Sequence, residues 1–144
     1  GFSDIPQFEG SSCTSKERYD YMFQKRLLDE HYRTYGGSYG WVLAGLRASR
    51  KLMRKENLAK IKTPVLLFAA GHDHMVDNDA IERFAELTNR TELFFMPDSR
   101  HEIFNADERT RTKYYDEIFR FIKEEEVKDY ENENEQTRKI LGTV

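Results

Sequence analysis

Six consecutive apolar residues, Val65–Ala70, constrain this chain more than any other stretch. An unbroken apolar run of that length, opened by Pro64 and closed by Gly71, has the pattern of a strand buried on both faces, as in a parallel sheet. Proline suits the start of a strand, where no ladder donor is needed, and glycine marks the stop. A second apolar run, residues 93–96, ends at Pro97. Between them Ile81, Phe84, Ala85 and Thr88 recur at i, i+3, i+4 and i+7, which predicts a helix over residues 78–90. Strand, helix and strand make a βαβ unit with a right-handed crossover. Working groups in such sheets gather just beyond the carboxyl ends of the strands. Asp73 follows the first run and His101 the second, so the unit should bring a carboxylate and an imidazole to one sheet edge. An Asp that holds an imidazole in one tautomer, and a His that takes a proton from a hydroxyl, form the acid and base of nucleophilic hydrolysis. Two unrelated polar loop residues are the plainer account of the same pattern.

These stretches resemble the C-terminal half of α/β-hydrolase-fold enzymes, most closely the bacterial lysophospholipase and monoacylglycerol-lipase group. The resemblance is carried by I-K-T-P-V-L-L-F-A-A-G-H-D-H-M-V-D-N over residues 61–78, by S-R-H-E-I-F over 99–104 and by G-G-S-Y-G-W over 36–41. It implies that Asp73 is the acid and His101 the base of a Ser-Asp-His triad. It implies, further, hydrolysis of the carboxylic ester of a lysophospholipid or monoacylglycerol, with no cofactor and no metal. In that family the nucleophile precedes both residues on a strand-to-helix elbow. That half, with its oxyanion hole, is missing from the pattern here, so the chain alone is expected to be weakly active or inactive. The alternative is a non-catalytic, truncated hydrolase that self-associates or pairs with a partner chain.

A literal G-x-S-x-G does occur, at Gly36-Gly37-Ser38-Tyr39-Gly40. The motif works only where an apolar strand drives into the turn and lifts the serine above the sheet edge. The preceding Leu-Asp-Glu-His-Tyr-Arg-Thr-Tyr is too polar for a central strand, so Ser38 reads as a decoy. His72, Asp73 and His74, with His101, have the residue types of a zinc site, but alternating loop side chains rarely converge without further ligands. His31 reads as a surface residue and Ser99 as loop structure.

Residues 1–13 form a lead-in loop, and residues 14–60 a helical segment matching the family's cap. Its first helix is capped by Thr14 or Ser15 and has Tyr19, Met22, Phe23 and Leu27 on one face. Its second runs over about residues 40–55, with Val42, Gly45, Leu46, Ser49 and Met53 on the face expected to pack in the core. Residues 61–126 make up the βαβα hydrolase core. The last helix is expected over residues 108–123, on the spacing of Tyr115, Ile118, Phe119 and Ile122, and residues 127–144 form an acidic tail, frayed but helical.

Charged residues are 34% of the chain and apolar ones only 38%, which suits a domain with an outsized surface or one whose apolar face needs a partner. A net charge of −3 gives no footing for nucleic acid. Arg47, Arg50, Lys51, Arg54, Lys55, Lys60 and Lys62 form a basic run suited to peripheral contact with anionic lipid, although a solvated helix face is the plainer account. No apolar run reaches membrane-spanning length, and no signal peptide is visible. The single Cys13 precludes an internal disulfide and suggests a cytoplasmic, reducing setting. One edge of the Val65–Ala70 strand has no predicted neighbour. A twofold homodimer that pairs those edges is therefore expected in preference to residues 2–13 folding over them.

Overall fold

In the computed structural model, which describes residues 2–141, both apolar runs are strands, β1 (Val65–Ala70) and β2 (Thr91–Met96). Around them lie α1 (Lys16–Leu28), α2 (Tyr39–Leu52), the short α3 (Lys55–Leu58), α4 (Asn78–Glu86) and α5 (Glu108–Leu141). Single 3-10 turns occupy Glu30–Tyr32 and Ile103–Asn105. The strands pair in parallel, with Val65 opposite Thr91 and Ala70 opposite Met96. Their carboxyl ends are therefore level, and the loops that follow leave the sheet side by side. The fold class expected from the sequence, α/β with few parallel strands, is the one observed.

Boundaries shift where local hydrogen bonding competes with periodicity. β2 begins two residues before residue 93, because Thr91 and Glu92 complete the ladder opposite Val65 and Leu66. α4 stops short of residue 90. The Thr88 hydroxyl donates to the Phe84 carbonyl at 2.7 Å and meets the Thr91 hydroxyl at 2.6 Å, capping the last turn and aiming the chain into β2. At the other end of α4, the Asp77 carboxylate accepts from the Asp79 N–H, an N-cap.

Burial on both faces holds only at the end of β1. Ala69 and Ala70 are buried, whereas residues 65–68 are half-buried. The core is a small cluster of Ala70, Met96 and Ile103, ringed by Phe68, Phe94 and Tyr114. The Phe68 ring packs at a tilt against Tyr114, centroids 4.6 Å apart, which docks α5 on the sheet. Two strands cannot enclose more than this, and Phe95 of β2 stays half exposed.

The helical segment before the sheet departs further from expectation. Phe23 of α1 is buried between Phe2 and Tyr19, at ring distances of 6.3 and 6.0 Å, as the α1 face suggested. α2, however, packs chiefly against α3, and its expected core face is open. Val42, Gly45, Leu46 and Ser49 are exposed and only Met53 is half-buried. The spacing correctly marked a helix, but nothing on the sheet side receives its apolar stripe. α3 contributes the fully buried Leu58.

α5 runs unbroken to Leu141 instead of fraying after residue 123. It contains no Gly or Pro, and Arg120 with Glu117 and Glu124, then Lys128 with Glu125, tie successive turns together. Residues 126–136 are exposed throughout, so the helix extends past the body it packs on. Residues 142–144 of the expected tail lie outside the described residues. Among the described residues no helix is long and apolar enough to cross a membrane.

The one tight backbone contact at the sheet edge is at Gly71, whose N–H donates to the Met96 carbonyl at 2.9 Å. A Cβ there would collide with the Pro97 backbone. Gly71→Ala should therefore force the two post-strand loops apart and lower stability by about 1–3 kcal/mol, the usual cost of overpacking. Urea unfolding checks this; an unchanged midpoint would mean that the loops yield freely.

Candidate functional site

The loops after β1 and β2 are stitched together by their backbones before any side chain is considered. The His72 N–H donates to the Ser99 carbonyl at 2.9 Å, and the Ser99 N–H donates to the Met96 carbonyl at 3.1 Å. Ser99 itself is fully buried and lies in neither strand nor helix. Asp73 follows directly on the first loop, and His101 lies two residues beyond Ser99 on the second.

Asp73 is held by its own loop. Its Oδ1 accepts from the N–H groups of Met75, at 2.8 Å, and Val76, at 3.1 Å, an Asx turn that fixes the carboxylate plane. The other oxygen, Oδ2, is thereby aimed at His101 and meets its Nδ1 at 2.9 Å. The Asp73 side chain is only 4% exposed, while the imidazole is 38% exposed. Burial pushes the Asp73 carboxyl up, but the Met75 N–H, the His101 hydrogen bond and charge, and the Val76 N–H together outweigh it and hold the group below its ordinary value. The carboxylate is thus kept ionised and nearly dry. Nε2 of His101 has no hydrogen-bond partner among the described residues, and it is the nitrogen left to exchange a proton.

A second aspartate–histidine contact shows what distinguishes this one. His31 Nδ1 lies 2.7 Å from Asp29 Oδ1, but that imidazole is 86% exposed and Asp29 is the cap of the Glu30–Tyr32 turn. Water competes for both partners there, so the pair is worth little. At Asp73 the carboxylate is shielded and its second oxygen already used, which leaves one direction for the imidazole to bond.

Ser38 is not on an elbow. It is the N-cap of α2, its hydroxyl accepting from the Trp41 N–H at 3.2 Å, and among the described residues no strand leads into it. The αL glycine that the motif supplies, Gly36 at φ 81°, serves the turn into that helix. No group of three or more His, Cys, Asp or Glu is gathered for a metal among the described residues. All seven basic residues of the run are solvent-exposed, with Met53, Asn57, Leu58 and Ile61 between them wholly or partly buried.

Nothing in the sequence singles out Arg100, yet it is the best-connected side chain beside the pair. Its Nη1 faces the carbonyls of Phe8, Ser11 and Cys13 at 3.1–3.2 Å. The Glu102 N–H donates to the Ser12 carbonyl at 2.9 Å, and the Cys13 thiol donates to the Asn105 carbonyl at 2.8 Å. Residues 8–13, read from the sequence as a lead-in loop, are therefore fastened to the His101 loop. They form no strand on the free edge of β1. Their only sequence signal was a Gly/Ser-rich composition, which fits any irregular segment.

Asp73→Asn tests the electrostatics. It should cost about 1–3 kcal/mol at neutral pH through the damaged hydrogen bonding of a buried group. Because the folded pKa lies below the unfolded one, the stabilisation is present above about pH 4 and is lost as pH falls through the folded value. The gap between wild type and Asp73→Asn should therefore narrow from pH 7 to pH 3 in urea titrations. A gap independent of pH would contradict a selectively stabilised carboxylate.

The model of the family described as "Serine aminopeptidase, S33" matches residues 8–108, over two thirds of the chain and inclusive of both loops. No curated protein and no solved structure matches the chain. With the parallel βαβ unit and the level strand ends, this places the chain plainly: it belongs to the serine aminopeptidase S33 family of α/β-hydrolases.

Proposed function

We propose that this chain supplies the acid and base of a carboxylic ester hydrolase, with Asp73 orienting His101 and His101 acting as general base and then general acid. The observation that carries the reading is the 2.9 Å contact between the shielded Asp73 Oδ2 and His101 Nδ1, at the carboxyl edge of a parallel sheet. In the step proposed, Nε2 takes the proton of an attacking hydroxyl as its oxygen bonds the ester carbonyl carbon. The imidazolium, stabilised by Asp73, then returns that proton to the departing alcohol. Lysophospholipids or monoacylglycerols are the substrates we favour. Exposed Trp41, Val42, Leu43 and Leu46 on α2, with Arg47, Arg50 and Lys51 on the same helix, suit a single acyl chain with a polar head at a cytoplasmic membrane surface. In this reading the nucleophile comes from elsewhere than Ser38; the helix cap made by its hydroxyl supports that assignment.

A fluorophosphonate probe, which labels activated serines, should leave the chain unlabelled and short-chain esters unhydrolysed. Joined behind the nucleophile-bearing half of a family member, the chain should restore labelling and hydrolysis of monoacylglycerol. Asp73→Asn should then cost roughly 10⁴-fold in turnover. Turnover by the isolated chain that Ser38→Ala abolishes would refute the assignment, as would a chimera indifferent to His101→Ala. Preference for aminoacyl anilides over monoacylglycerols would move the substrate class to amides and leave the acid–base roles intact.

A second reading, self-association, is favoured by one observation: the outer edge of β1 has no strand partner among the described residues. Pairing of two β1 edges across a twofold axis would give a four-stranded sheet, antiparallel at its centre. Light scattering at micromolar concentration should report a dimer, and Leu67→Pro, which removes a mid-strand donor, should dissociate or unfold it. A stable wild-type monomer would dispose of this arrangement.

A further inference from the structure

His101 is positioned by few contacts of its own, since its imidazole is 38% exposed and, among the described residues, bonded only to Asp73. One hydrogen bond does not fix a ring whose backbone is free to shift, and residues 98–102 belong to neither strand nor helix. The His72–Ser99 and Ser99–Met96 backbone bonds anchor them only as far as Ser99, and on either side of His101 the anchor is the segment 8–13. Immediately before His101, Arg100 points its guanidinium at three carbonyls of that segment and lies over the Phe8 ring, 5.8 Å from its centroid. Immediately after His101, the Glu102 N–H bonds the Ser12 carbonyl. Ser12 also reaches the opposite loop, where its hydroxyl donates to the Met75 sulfur at 3.1 Å, beside the Asx turn that orients Asp73. The same short segment thus touches both loops of the pair and grips both neighbours of the histidine.

We propose that Arg100 is the positioning residue for His101: its cationic Nη1 draws residues 8–13 against the loop and so holds Nδ1 toward Asp73. A guanidinium suits the task because its rigid, permanently charged donors can serve several carbonyls at once, with charge-assisted strength. Arg100 lies outside the core cluster of Ala70, Met96 and Ile103, so removing its donors loosens the loop and spares the fold. The proposal rests on Asp73 and His101 being the working pair, and its test reads that pair without any need for turnover.

The readout is the tautomer of neutral His101, from imidazole nitrogen chemical shifts. Wild type should hold the Nδ1–H form, with Asp73 as acceptor. In Asp73→Asn the side-chain oxygen is claimed by the Met75 and Val76 N–H groups, which leaves the amide NH₂ facing Nδ1 and should convert the ring to Nε2–H. Arg100→Gln should lose the single Nδ1–H signature and show both forms, with circular dichroism unchanged. A wild-type signature in Arg100→Gln, alongside conversion in Asp73→Asn, overturns the proposal alone. No change in Asp73→Asn removes the pair, and the functional reading with it. Should Arg100→Gln not fold, Arg100→Met, which keeps an unbranched side chain of similar length without the donors, is read in the same way. If neither folds, Arg100 secures the fold and not the imidazole, and the proposal fails.

Discussion

Parallel pairing of β1 with β2, in a register that ends both strands level, is the constraint on which the rest depends. Parallel strands need a crossover, and α4 provides it. Because both strands point the same way, their following loops share one edge, and side chains 28 positions apart in sequence come within a hydrogen bond. An antiparallel pair would have put the two loops at opposite ends. The close approach of Gly71 to Pro97 and the His72–Ser99 backbone bond follow from the same register. They hold the loops close enough for a carboxylate and an imidazole to meet without long side chains.

The site illustrates why shielding matters more than proximity. Asp29 and His31 lie closer together than Asp73 and His101, yet they sit in water on an exposed turn. Asp73 has one oxygen occupied by backbone donors and almost no exposure, so the field of its ionised form is directed through Oδ2 onto one imidazole nitrogen. Preorganisation of this kind distinguishes the Asp73–His101 pair from one that merely caps a turn, and suits the acid–base role proposed for it.

The fold is thin around this edge. Its buried core is few in number and its apolar surface is spread over α2, β2 and α5, as exposed Trp41, Phe95 and Phe119 show. Burial stabilises in proportion to apolar area removed from water, so a two-stranded sheet leaves much of that stabilisation unrealised. The long charged α5, held by i,i+3 and i,i+4 ion pairs, is a helix that needs little burial to persist.

The sequence by itself determined the βαβ unit, the chain family it resembles, and the two residues at its edge. All three follow from local patterns, namely apolar runs, helical periodicity and turn residues, whose meaning needs no knowledge of the remaining chain. It also excluded Ser38 from an elbow, because no apolar run precedes it. Only the tertiary structure decided that the stripe on α2 faces solvent, since periodicity reports a face and not what receives it. Only there does β2 begin at Thr91, and only there does Thr88 end α4, because both depend on partners across the ladder or the turn. The fastening of residues 8–13 by Arg100 was the least legible of all. Its contacts span 87 to 92 positions and end on backbone carbonyls, which every residue possesses and no sequence pattern marks.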